Sequence, residues 1–224
     1  MKAVVCEKWG DPAEVLQVVD LPTPAPGRGQ VRVRMLVSPV NPSDLLMVRG
    51  AYGRQPPLPA TPGFEGVGVV EAGSGPLSRL RLGRRVAVQG DGCWAEQVVV
   101  SARQVWPAPA GLTDEQAASF FVNPASALVM TRYVLRVPPG AWLLQTAAGS
   151  ALGRMVIRLG RLFGFRTINV VRRREQAEEL LREGADAVVA TGEESLTERV
   201  RSLTGGAGVP FALDAVGGAT GSEV

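Results

Sequence analysis

A chain of 224 residues has room for one large domain or two small ones, at ~150 residues per domain. Its 46% hydrophobic and 20% charged residues exclude a disordered or fibrous chain. Histidine is absent, which excludes Ser-His-Asp and Cys-His catalysis and any zinc site with a histidine ligand. The net charge is +3, with Lys2 and Lys8 the only lysines and a single dense run of arginines at Arg172, Arg173 and Arg174. Scattered arginine predicts no nucleic-acid partner. Cys6 and Cys93 are too few and too distant for a thiolate cluster, and suit a reducing interior where both stay free. With no signal-peptide pattern and no run of ~18 apolar residues, the expected setting is cytoplasmic, without a membrane partner.

The first half reads as β structure. Residues 2–6, 14–20, 30–37, 67–72, 85–88 and 95–100 are short apolar or alternating runs, separated by turns such as Pro22–Gly27 and Gly90–Gly92. In 30–37, Val31, Val33, Met35 and Val37 share one face. Short antiparallel strands at this spacing predict a small barrel or sandwich.

The pattern changes at Thr113-Asp-Glu-Gln116, a capping box that opens a helix. Asn123 as N-cap with Pro124 at the first helical position predicts a second helix start. From 142 onward strands and helices alternate: strand 142–147, helix 152–164 closed by Gly164, strand 167–171, helix 175–183 closed by Gly184, strand 187–190, helix 196–203 and strand 211–216. Connections of this length predict a parallel doubly wound sheet. The expected domains are therefore 1–112, β-rich, and 113–224, α/β. About four of the six strands of a full dinucleotide-binding sheet are accounted for, and the last residues, from Ala219, read as loop. Either the chain is truncated or another subunit completes its end; truncation is the expectation adopted.

The strand-to-helix turn Ala147-Ala-Gly-Ser-Ala-Leu-Gly153 keeps only the third glycine of the G-x-G-x-x-G template. Its small residues still let an anion approach the free N–H groups of a helix N-terminus. About 20 residues on, dinucleotide units that take NAD carry an acid against the ribose 2′-hydroxyl. Arg172, Arg173 and Arg174 stand there instead, and guanidinium groups pair with a 2′-phosphate through forked hydrogen bonds. They predict NADPH. A basic helix start opposes the macrodipole, so a purely structural role would carry a mild cost. Glu175 is a rival ribose partner but falls inside the next helix. Asp214, near the end of the last strand, suits either a ligand contact or a turn. Asp44 and Glu65 read as loop-capping carboxylates.

The series Asn41-Pro-Ser-Asp44, Gly50-Ala-Tyr-Gly53 and Pro62-Gly-Phe-Glu-Gly66 resembles the zinc-independent branch of the medium-chain dehydrogenase/reductase superfamily. Val122-Asn-Pro-Ala-Ser-Ala127 and Arg166–Arg172 extend the likeness, which is greatest to the trans-2-enoyl thioester reductases. The resemblance implies a GroES-like β-barrel domain followed by a Rossmann domain, and NADPH-dependent reduction of an activated C=C bond. It places the family's active-site tyrosine on Tyr52. It places the NADPH contacts on Asn123, on Gly149, Ser150, Ala151 and Leu152, and on Arg172, Arg173 and Arg174. Zinc-dependent cousins have a ligand histidine where this chain has Phe64, and the structural zinc lobe has no counterpart, so no metal is implied.

The implied substrate is a small acyl thioester. Alternatives are a quinone, which would need the cofactor and an open apolar cleft but no tyrosine acid, and an inactive nucleotide-binding fragment. A homodimer is a possible assembly. From the residues alone, Tyr52 in a Gly-x-Tyr-Gly loop also suits a packed aromatic with its hydroxyl at the surface.

Overall fold

The computed structural model describes residues 1–79 and 81–224. They form two compact units, Met1–Val122 and Asn123–Val224. The expected boundary at 112/113 falls short of this division. The cause is the helix opened by the Thr113 box, α4 in chain order (Asp114–Ala118), whose Ala117 and Ala118 pack on Val67 of the β-rich unit.

The first unit is a five-stranded antiparallel sheet, ordered β6-β3-β4-β5-β7, with a separate β1–β2 pair. Its strands are β1 (Lys2–Cys6), β2 (Leu16–Asp20), β3 (Gln30–Val37), β4 (Glu65–Gly73), β5 (Arg85–Gln89), β6 (Gln97–Ser101) and β7 (Val105–Pro107). Among the described residues, α1 (Pro12–Val15), α2 (Pro42–Val48), α3 (Pro76–Arg79) and the 3-10 turn Ala102–Gln104 interrupt them. The run expected as one strand over 14–20 starts later, because Asp11 accepts the Ala13 N–H at 2.9 Å and Pro12 favours a helical first turn. Alternation in β3 buries Val31 and Val33 completely, among Val70, Val86, Val88, Val98 and Val100. A register shift between Met35 and Val37 then hands Val37 to the Val67–Ala117–Ala118 cluster.

Two carboxylates with no solvent exposure, Asp44 and Glu65, tie this unit together. Asp44 accepts from the Asn41 N–H at 2.7 Å, closing the first turn of α2, and from the Phe64 N–H at 3.0 Å. Glu65 accepts from Asn41 Nδ2 and from the N–H groups of Phe121 and Val122, all at 2.9 Å. That last pair explains a correction. The next helix, α5, spans Val122–Leu128, so Asn123 lies inside it and is not its N-cap. Glu65 satisfies the amides that open the helix. Pro124 still falls in the first turn, where a missing N–H costs nothing.

The second unit carries a four-stranded parallel sheet in the order β10-β9-β8-β11: β8 (Trp142–Gln145), β9 (Arg166–Val171), β10 (Ala187–Ala190) and β11 (Phe211–Leu213). A π-helical stretch, Val129–Val134, precedes it. The crossovers are α6 (Ala151–Phe163), α7 (Glu175–Glu183) and α8 (Leu196–Thr204). Each ends on a left-handed glycine, Gly164, Gly184 or Gly205. Residues after β11, expected as loop, instead form α9 (Gly218–Ser222); the Asp214 carboxylate accepts from the N–H groups of Val216 and Gly217 at 3.0 Å each and starts that turn.

Removing the Glu65 carboxylate strands one side-chain and two backbone donors in a dry environment. Glu65→Ala is therefore expected to lower stability by about 2–4 kcal/mol, read from urea unfolding. A loss under ~0.5 kcal/mol, within the range of an ordinary surface substitution, would show that these three bonds do not hold the unit together.

Candidate functional site

In the first unit, α2 and β4 converge on a cavity of about 460 Å³ walled by Ser43, Tyr52, Phe64, Gln89, Gln104 and Val122, with Arg54 and Asp91 at its polar side. Tyr52 lies on the turn after α2, 41% exposed, with its ring centroid 5.4 Å from that of Phe64. Phe64 is held by the Asp44 bond to its N–H, and its neighbour Gly63 has no alternative. A Cβ at Gly63 would sit 2.8 Å from the Trp94 backbone N, and its φ is +97°. Arg54 forms an ion pair with Asp91, joining the tyrosine loop to the turn after β5.

Burial raises the Asp44 carboxyl above the ordinary aspartate range, against the opposing bonds from Asn41 and Phe64 and with added repulsion from Glu65. Burial, with the same two carboxylates nearby, pushes the Cys93 thiol up to about 12. Cys93 is therefore a protonated core residue and no nucleophile. Among the described residues no group of three or more His, Cys, Asp or Glu side chains could hold a metal ion. No helix among them is long and apolar enough to cross a membrane.

In the second unit, a cavity of about 540 Å³ opens at the carboxyl ends of the parallel strands. That is where ligands bind in open sheets of this kind. Its floor is the β8–α6 turn. Ser150 caps α6 by accepting the Gly153 N–H at 3.1 Å. Gly153 has to be glycine, since a Cβ would lie 2.5 Å from the Ala148 carbonyl. Buried Gln145 fixes the same turn from below, donating to the Gly153 carbonyl at 2.9 Å and to Asn169 Oδ1 at 2.7 Å. Arg154 fixes it from the side, donating to the Gly149 carbonyl at 3.2 Å while paired with Glu179. The helix N-terminus thus faces the cavity in a rigid setting, with Gly149 and Ser150 on its wall.

The arginine run divides. Arg172 and Arg173 line this cavity. Arg174 does not, and pairs with Glu193 at 3.2 Å at the start of α7. Ala151 and Leu152 are the first residues of α6, and Leu152 packs inward against the cluster of Leu143, Val156 and Phe165. Asn123, on α5, is not part of this wall. The structure adds wall residues that sequence reasoning passed over: Thr146, Ala147, Gln176, Thr191, Val216 and Thr220. The left-handed φ of Ala147, +50°, gave no signal in the sequence, because alanine does not advertise it.

Two family models match the chain: the alcohol dehydrogenase GroES-like domain over residues 27–110, and the zinc-binding dehydrogenase domain over residues 151–223. Mitochondrial enoyl-[acyl-carrier-protein] reductase of Rattus norvegicus is 36% identical over all of this chain and 62% of its own length; the Homo sapiens protein is 35% identical with the same coverage. Among solved structures, a putative NADPH:quinone reductase of Bacillus thuringiensis superposes with a TM-score of 0.93 at 41% identity, over 99% of this chain and 67% of that one. Escherichia coli quinone oxidoreductase complexed with NADPH gives a TM-score of 0.91 at 27% identity, over 99% and 68%. The chain thus spans 62% of the length of the two curated relatives it matches here. It belongs to the medium-chain dehydrogenase/reductase superfamily, on the zinc-independent branch that holds enoyl thioester reductases and quinone reductases.

Proposed function

We propose that this chain is the substrate- and NADPH-binding part of a reductase that saturates the activated C=C bond of a 2-enoyl thioester. The observation that carries the reading is the wall of the second unit's cavity. Two arginines, and no acid, occupy the end of β9 beside a helix N-terminus. The residues fit the cofactor: the N-terminus of α6 suits the pyrophosphate, and Arg172 and Arg173 suit a 2′-phosphate. The NADPH complex of the Escherichia coli quinone oxidoreductase supports that choice. Asn123, Ala151, Leu152 and Arg174 belong to the proposed contact set by resemblance. Of these, Arg174 is ion-paired with Glu193.

When bound, NADPH supplies a hydride, which adds to the β carbon of the enoyl group. The protein supplies orientation and charge control. Tyr52 lines the first unit's cavity beside Phe64, their rings tilted against each other with centroids 5.4 Å apart. In this reading the hydroxyl donates to the thioester carbonyl, stabilising the charge that builds on that oxygen and giving a proton route to the α carbon. The 41% identity to a putative quinone reductase favours a second reading, in which the same cavity accepts a quinone and the tyrosine has no acid role. Cytoplasmic residence and homodimer formation complete the proposal.

Arg172→Ala with Arg173→Ala is expected to cost NADPH binding about tenfold or more, the worth of one or two charge-assisted bonds, and to leave NADH binding nearly unchanged. Calorimetric titration of both cofactors measures it. Equal affinity of the unmodified chain for NADH and NADPH would end the assignment.

Tyr52→Phe is expected to lower crotonyl-CoA reduction by ~10²–10³ with NADPH affinity intact. Following NADPH oxidation with crotonyl-CoA and with benzoquinone separates the two readings. Activity with the quinone alone, indifferent to Tyr52, selects the quinone reductase.

A further inference from the structure

On the wall of the second cavity opposite the arginines, the ends of β8 and β11 are fastened by a compact polar knot. Thr146, 4% exposed, donates its hydroxyl to Asp214 Oδ1 at 2.6 Å and accepts the Ala215 N–H at 2.8 Å. Its own N–H donates to the Leu213 carbonyl at 3.0 Å. Asp214 in turn accepts the N–H groups of Val216 and Gly217. A Cβ on Gly221 would collide with the Asp214 carboxylate, so α9 closes directly onto it. The loop so tied carries Val216, 57% exposed, and leads to Thr220, and both face the cavity.

We propose that Thr146 and Asp214 act as a positioning clasp that sets the 215–220 segment against the nicotinamide half of the cofactor. This rests on the dinucleotide reading above. The strand order decides which half. β8 lies between β9 and β11 in the sheet. A pyrophosphate at the α6 N-terminus after β8 and a 2′-phosphate over the β9 arginines would leave the other half of the dinucleotide to extend over β11. The clasp would then lie away from the phosphoadenosine side. Its loss loosens one end of the ligand only.

The test compares NADPH with 2′-phospho-ADP, which lacks the nicotinamide and its ribose, by calorimetric titration of the full chain. Thr146→Val and, separately, Asp214→Asn are expected to weaken NADPH binding about tenfold, the scale of losing a hydrogen bond to a charged group. Binding of 2′-phospho-ADP should change less than twofold, and Thr146→Ser should restore NADPH affinity. The thermal midpoint of each variant identifies one that fails to fold; Asp214→Asn, on an exposed loop, remains available if Thr146→Val does so. Unchanged NADPH affinity in both folded variants would overturn the clasp while leaving the cofactor reading intact. Equal weakening of both ligands would make the knot a general support of the sheet and also overturn it. Failure of the unmodified chain to bind either ligand would overturn the cofactor reading and the clasp together.

Discussion

The first unit depends on two carboxylates that water never reaches. Asp44 and Glu65 each stand where a buried charge is costly unless hydrogen-bonded from several sides. Together they accept from the start of α2, the start of β4 and the start of α5, three points far apart in the chain. The result is a knot of charge-assisted bonds directly behind Phe64. Because Phe64 flanks Tyr52, the geometry of the proposed active-site wall is inherited from these interior bonds and not from the exposed tyrosine loop.

The second unit solves a similar problem with side-chain donors, one an amide and one a guanidinium. The β8–α6 turn must bring backbone N–H groups close to an anion without much glycine. Gln145 beneath it and Arg154 beside it hold the turn from two directions, and Gly153 alone supplies the close approach of helix to strand. A turn that matches the dinucleotide fingerprint at one glycine of three can thus keep its shape, since the missing freedom is replaced by side-chain bonds.

Features that repeat along the sequence were legible in it. The strand–helix alternation after residue 142, the glycine helix ends at Gly164 and Gly184 and the Thr113 capping box depend on neighbours within a few residues, and the structure reproduces them. The series around Asp44, Tyr52 and Glu65 carried the family. What the sequence concealed depends on partners far along the chain. Residue 122 begins a helix because a carboxylate 57 positions earlier accepts its amide. Thr146 meets Asp214 across 68 positions. The three consecutive arginines looked like one functional unit until Glu193 separated the third. The short helices α1 and α9 escaped because a single turn leaves no periodicity to detect.

The burial of Cys93 also bears on how the β-rich unit can be watched. With its thiol proton held until about pH 12 and 1% exposure, the folded protein offers almost no thiolate near neutrality. Labelling by a thiolate-seeking reagent must therefore wait for a local opening that admits solvent between β5 and β6. The rate of modification at that residue becomes a clock for the breathing of the sheet. Any ligand seated against Tyr52 and Phe64 that steadies the turn after β5 would slow that clock without touching the sulfur.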